Sequence, residues 1–103
     1  MTHPQLPDLL RRYLAAGAAR DLDALIECFA PDAVVHDERR SHAGHDAIRE
    51  WRAHTDATVP YHLAPLGLTR QAGQWKLLAR VSGAFPGSPI ELMHVFEVAD
   101  DRI

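Results

Sequence analysis

The passage RDLDALIECFAPDAVVHDE, residues 20–38, decides the fold. Asp21 can accept a hydrogen bond from the free amides at a helix start. Leu22, Leu25, Ile26 and Phe29 recur at spacings of three and four and form one apolar helical stripe, which Pro31 terminates. Ala33, Val34 and Val35 then favour extended backbone, so a strand is expected from Ala33 to Asp37. Strand period puts Asp37 on the face of Val35 and Ala33. A carboxylate there either faces a cavity or opens the polar turn DERR. The residues alone leave both readings open.

Working outward, Leu6, Leu10, Tyr13, Leu14 and Gly17 mark one face of a preceding helix, with Pro4 and Pro7 at its first turn. That helix is expected to end at Gly17 or just after it. On the other side, ERRSHAGH (residues 38–45) reads as a polar loop. Residues 46–56 read as a third helix, with Ile48, Trp51 and Thr55 at helical spacing, Gly44 or His45 at its start and Pro60 beyond it. From Tyr61 the period becomes two. Trp75, Leu77, Ala79, Val81, Gly83 and Phe85 alternate with Lys76, Leu78, Arg80 and Ser82. PGSP (86–89) is a turn by composition. Leu92, His94, Phe96 and Val98 then alternate with Glu91, Met93, Val95 and Glu97. The glutamates put the second set outside and the first set inside. Gly83 within a strand pattern suggests a bulge or a close backbone approach. ADDR (99–102) is a further turn.

This order predicts an α+β fold in a single domain, residues 1–103. Three N-terminal helices pack on one face of a curved, mostly antiparallel sheet, giving a cone that encloses a pocket. The 11 basic and 14 acidic residues are well mixed, so there is no basic stripe and no nucleic-acid partner is expected. Cys28 is the single cysteine, which excludes an intrachain disulfide and a cysteine-based zinc motif; within the helical stripe it reads as packing. MTHPQLPD is neither basic nor followed by an apolar run, so no leader or membrane span is expected and the location is read as cytoplasmic.

RRYLAAGAARDLDALIECFAPDAVVHDE (11–38), GHDAIREW (44–51) and HVFEVADDRI (94–103) together resemble the nuclear transport factor 2-like superfamily. The resemblance is greatest to the branch holding ketosteroid isomerase and the SnoaL-like polyketide cyclases. It covers nearly the whole chain and marks fold more firmly than activity, because this fold hosts many activities. It implies three site residues. Ketosteroid isomerases carry an oxyanion-donating tyrosine on the first helix, matched by Tyr13 in RRYLAA. They carry a catalytic aspartate at the end of the first strand, matched by Asp37 in VVHD. Their second, protonated aspartate lies on a late strand, where HVFEV supplies His94 instead. That departure argues against steroid isomerisation itself. Family members usually continue past a DDRI-type turn into another long strand. Its expected absence here would leave the strand from Ile90 to Val98 with an open edge, and hence implies a homodimer that covers Met93 and Val95.

With these residues, Asp37 is the candidate general base at a carbon next to a carbonyl, and Tyr13 and His94 are the candidate donors to the enolate oxygen. Trp51, Leu63, Phe85 and Phe96 are the candidate apolar walls, so the expected ligand is a small, mainly apolar, carbonyl-bearing molecule. Such a substrate holds the charge itself, so no cofactor is expected. Nor is a metal, because His36, His42 and His45 lie in or beside a polar loop that fixes no tetrahedral site. His54 and His62 either edge the pocket or face solvent, and Trp75 reads as core. Each candidate also has a structural reading: Asp37 as a turn residue, Tyr13 as core, His94 as a satisfied histidine. Two functions follow, a cofactor-independent isomerase, cyclase or lyase, and a non-catalytic ligand-binding or dimerisation module. Convergence of the three polar groups on one cavity separates them. An epoxide hydrolase of the same superfamily, which needs an arginine and two aspartates around a water, resembles this chain less, since the inward faces offer no clear second acid.

Overall fold

Asp21 caps a helix as expected, its carboxylate accepting from the Ala24 N–H at 3.1 Å. Around that cap the computed structural model, which describes residues 6–37, 39–58 and 61–103, arranges three helices and two antiparallel sheets. The order is α1 (Asp8–Ala19), α2 (Leu22–Glu27), β1 (Val34–Asp37), β2 (Arg40–Ala43), α3 (Gly44–Thr58), β3 (Tyr61–Gln71), β4 (Gln74–Gly83) and β5 (Ile90–Glu97). α1 runs two residues past Gly17. It stops where Arg20 turns left-handed at φ 57° and returns its N–H to the Ala16 and Gly17 carbonyls. No helix of the described residues is long and apolar enough to cross a membrane.

Two expectations are corrected. Part of the segment read as the polar loop ERRSHAGH is a strand: β2 pairs with β1 in the register Val34↔Ala43 to Asp37↔Arg40. β2 is polar and mostly exposed, so it carries no apolar alternation to announce it; His36 Nδ1 and Ser41 Oγ hydrogen-bond across the hairpin at 2.9 Å. The pairing also forms as two sheets, β1–β2 and β3–β4–β5, rather than as one. The second correction concerns the bulge, one of the two readings of Gly83. Gly83 ends β4 with its N–H donating to Ser88 Oγ at 2.9 Å, and the irregularity lies in β3, where the register shifts between Pro65 and Gly67. Pro65 has no N–H for the ladder, which suits such a break.

β3 and β4 join through Ala72 and Gly73, both at positive φ (50° and 78°), as a tight hairpin requires. β4 pairs with β5 from Val81↔Ile90 to Gln74↔Glu97. The inward set is as expected at its lower end: Leu77 and Ala79 are fully buried and Phe96 is 7% exposed, while outward Met93 and Val95 are 56% and 53% exposed. β5 is an edge strand among the described residues. Past it, Asp100 and Asp101 turn the chain back at positive φ, and Ile103 pairs with the end of α2, donating to the Cys28 carbonyl at 2.8 Å and accepting from Ala30 N–H at 2.9 Å.

The core has two clusters. Ala16, Leu25, Ile26, Phe29 and Ile48 pack among the helices, and Leu10, Leu77, Ala79 and Phe96 pack against the sheet. Tyr13 touches both. Its ring stands edge-on to Phe29 at 5.7 Å and to Phe96 at 5.4 Å, joining the helical layer to the sheet. Such aromatic pairs each add about 0.5–1.5 kcal/mol beyond their buried area.

Arg52, on the inward face of α3 one turn after Ile48, is buried at 7% exposure. Its Nε donates to Asp56 Oδ1 at 3.1 Å and its guanidinium lies 5.7 Å from the Tyr61 ring centroid. A Cβ placed on Gly17 would stand 2.7 Å from Arg52 Nη2. Glycine here leaves room for the far end of the Arg52 side chain, which a methyl would have to push aside. Gly→Ala within a helix ordinarily stabilises by about 1 kcal/mol. Here Gly17→Ala is expected to destabilise by about 1–2 kcal/mol in urea unfolding, because it dislodges a buried ion pair. On an Arg52→Ala background the same change should become stabilising. A destabilisation that persists unchanged on that background would mean that the guanidinium is not what the methyl meets.

Candidate functional site

Asp37 ends β1 with its side chain exposed, and it is held there. Trp51 Nε1–H, from α3, donates to its Oδ2 at 3.0 Å. His42 of β2 lies beside the same indole, with ring centroids 5.9 Å apart and planes inclined at 32°. These side chains border a groove of about 720 Å³ together with Arg40, Glu50 and His54. Its α3 residues run from the outer side of the helix, Glu50 and His54, to Trp51, which also packs on the helical core. The groove is thus open to solvent beside the β1–β2 hairpin, and Asp37 stands at its edge.

The other polar cluster lies between the helices and the three-stranded sheet. His94 pairs with fully buried Leu77 across β4 and β5, which places it on the inward face. Its Nδ1 is buried and makes no well-aligned hydrogen bond among the described residues, although the Leu77 backbone lies close enough to act on the ring as a hydrogen-bond acceptor. Burial pushes the His94 imidazole below its ordinary value, and Arg52 adds to this, while the Leu77 backbone and the charge of Asp37 push it up. Burial pushes the Tyr13 phenol up, and the Arg52 guanidinium beside it works the other way. Burial likewise raises Tyr61, opposed by Arg52 and reinforced by Asp56 and Asp37. Burial works against the charge of Arg52, but its neighbours outweigh burial and push the guanidinium up; of these the Asp56 carboxylate, hydrogen-bonded to Nε, is the one that carries charge near neutral pH.

Of the three residues expected to act together, His94 and Asp37 are within electrostatic reach of each other. Tyr13 lies deeper, against Arg52, Phe29 and Phe96. Trp51 belongs to the groove and also packs on the helical core; Leu63 and Phe96 belong to the sheet-side core, and Phe85 sits half-buried in the β4–β5 connection. Arg52, Asp56 and Tyr61 were not foreseen. Arg52 stands four residues after Ile48, and Asp56 four after that, so helical period alone places both on the inward stripe. His45 Nε2–H donates to the Phe29 carbonyl at 2.9 Å, and His54 lies 3.4 Å from the Thr58 hydroxyl. His62 is exposed on β3. Cys28 is buried and donates to the Ala24 carbonyl at 3.5 Å. No three histidine, cysteine or acidic side chains among the described residues are grouped to hold a metal ion.

The model of the SnoaL-like domain matches residues 10–103. A crystal structure from Sinorhizobium meliloti, assigned provisionally as a polyketide cyclase, is 42% identical over 94% of this chain and 89% of that one, with a TM-score of 0.90. A protein of ketosteroid isomerase-like fold from Catenulispora acidiphila, in complex with trimethylamine, is 21% identical over 95% and 81% of the two chains, with a TM-score of 0.80. TerC, co-crystallised with polyporic acid, is 20% identical over 92% and 81%, with a TM-score of 0.77. A comparison with the curated protein sequences finds none that matches.

The depressed His94 imidazole ties stability to pH. Its folded value lies below the ordinary 6.5, so between the two the unfolded chain binds more protons. The contribution of a neutral His94 is complete above 6.5 and is lost as pH falls through the folded value. Thermal melts taken from neutral pH downward should show this loss, and His94→Gln should show less of it. Parallel pH profiles for the two proteins would remove His94 as the source.

Proposed function

The chain belongs to the SnoaL-like domain family, and from that premise we propose that it binds a small, mainly apolar, carbonyl-bearing molecule and moves a proton on it without a cofactor. Helices and sheets together form the cone, and the ligand lies on its inward side, with its reacting carbon toward Asp37. The Asp37 carboxylate takes the proton from the carbon next to the carbonyl. Trp51 Nε1–H fixes that carboxylate from the far side. The electrons move onto the carbonyl oxygen, which accepts hydrogen bonds from the His94 imidazole and, deeper in, the Tyr13 hydroxyl. Trp51, Leu63, Phe85 and Phe96 supply apolar contact. Returning the proton to another carbon completes an isomerisation, and attack by the enolate on a second carbonyl completes a cyclisation.

The observation that carries this reading is the buried Nδ1 of His94, without a well-aligned hydrogen bond, on a ring that senses the Asp37 charge. A buried polar atom without such a bond is costly, and a ligand oxygen would supply one. The provisional assignment of the 42%-identical relative agrees with a carbonyl substrate. A second reading, a non-catalytic module of the same fold, is favoured by the exposure of Asp37 and by the enclosure of Tyr13 between two aromatic rings. Under either reading we place the protein in the cytoplasm as a two-fold dimer. Met93 and Val95, half-exposed and apolar on the outer face of an edge strand, form the contact.

Proton abstraction is measurable without the physiological substrate, as deuterium uptake from heavy water at the α-carbon of 4-phenylcyclohexanone. The wild type should catalyse it, and Asp37→Asn should lower the rate by about a hundredfold while leaving the fold intact. Exchange no faster than in buffer favours the non-catalytic module. For assembly, light scattering should give twice the 11.5 kDa chain mass, and Met93→Lys should shift the protein toward monomer. A wild-type monomer, or a dimer indifferent to that lysine, rules out this interface.

A further inference from the structure

Arg52 is the buried charge on which the inward cluster turns, and among the described residues a single carboxylate contact answers it. One nitrogen, Nε, is bound to Asp56 Oδ1 at 3.1 Å, through a single contact and not the paired fork an arginine can make with a carboxylate. The terminal amino groups meet no carboxylate among the described residues. They lie over the bare Cα of Gly17 and toward Tyr13 and Tyr61. Each neighbour on this side can donate: two phenol hydroxyls, the guanidinium and the His94 ring. The single acidic side chain hydrogen-bonded to the guanidinium, Asp56, engages it at the end away from its amino groups.

The inward face is also uncovered at one end. Ile90 and Leu92 share their β5 face with His94 and Phe96, yet they are 38% and 45% exposed. Ala79, opposite Leu92, is itself covered, so the open part of this face is Ile90 and Leu92 alone. An apolar body can rest on Ile90 and Leu92 while its polar end reaches inward past His94. A donor-rich, cation-bearing site behind an apolar approach suits a carbonyl compound that also carries an ionised oxygen better than a neutral ketone.

We propose that Arg52 is the anion-binding residue of this site and that its ligand is an apolar small molecule bearing one planar oxyanion, an ionised enol or a carboxylate. The amino groups of Arg52 take the oxyanion, Tyr13 and His94 donate to it at the sides, and Asp56 is the internal acid that holds the guanidinium ready and competes weakly for it. This specifies the substrate class of the site under Proposed function and rests on that placement of the ligand.

The test uses three probes of one shape at pH 7.5, read by NMR titration of the protein: 5-phenylcyclohexane-1,3-dione as the enolate, trans-4-phenylcyclohexanecarboxylate as the carboxylate and 4-phenylcyclohexanone as the neutral control. At least one anion should bind about tenfold or more tightly than the ketone, the worth of a charge-assisted hydrogen bond, and the better anion identifies the oxyanion chemistry. Arg52→Gln should erase that preference. Asp56→Asn, whose amide oxygen can still accept from Arg52 Nε, should tighten anion binding several-fold relative to ketone binding; this variant carries the test by itself if Arg52→Gln fails to fold. Equal binding of all three probes, binding of none, a preference that survives in folded Arg52→Gln, or indifference to Asp56→Asn overturns the proposal. Anion preference together with failed deuterium exchange removes the proton-transfer reading alone, and exchange without anion preference removes this one alone.

Discussion

A guanidinium out of reach of bulk water constrains the structure more than any other group. Arg52 is 8% exposed at its side chain and Asp56 17%, so neither ion can rely on solvation. Removing one member of such a pair costs about 3–5 kcal/mol, because the other is left buried and unpaired. Its surroundings follow from that cost. α1 leaves room for the guanidinium with a glycine, Tyr61 must start β3 with its ring beside the charge, and Tyr13 must place its hydroxyl within reach. Three elements, α1, α3 and β3, are thereby fixed relative to one another around a single polar contact.

Tyr13 transmits that fixation to the rest of the core. It is the aromatic link between the helical cluster, through Phe29, and the sheet cluster, through Phe96. A chain of this size buries only about two thirds of its unfolded surface, so a residue shared by both clusters matters more than it would in a larger domain. Ile103 has a similar double role, since it packs on both clusters while its backbone pairs with the end of α2.

The chemistry divides along α3. One flank, with Trp51 and His54, borders the solvent groove, and the inward stripe, with Ile48, Arg52 and Asp56, faces the core and the sheet. Asp37 sits where the two sides meet. It is exposed and tied to Trp51, yet its charge reaches His94 and Tyr61.

Much of this was legible in the chain itself, and for local reasons. The Asp21 cap, the 22–29 stripe and the run into β1 are set by spacing and by short-range hydrogen bonds, so they read directly from residues 20–38. The inward placement of His94 and Phe96 followed from a period of two, and the resemblance carried by residues 11–51 and 94–103 identified the superfamily. Only β2 was invisible, because Arg40, Ser41, His42 and Ala43 carry no apolar alternation and just one of them, His42 opposite Val35, is half-buried. The break in β3 shows only in its pairing with β4, and the role of Gly17 depends on Arg52 of another helix, so local pattern encodes neither. Arg52 shows the boundary best. Helical period places it on the inward stripe, but whether an arginine there turns outward or stays buried depends on Asp56, Tyr13, Tyr61 and the space over Gly17. Local sequence therefore determined the elements and their faces; only the tertiary structure decided which polar groups share a low-dielectric interior, because burial is a property of everything packed around a residue and not of the residue itself.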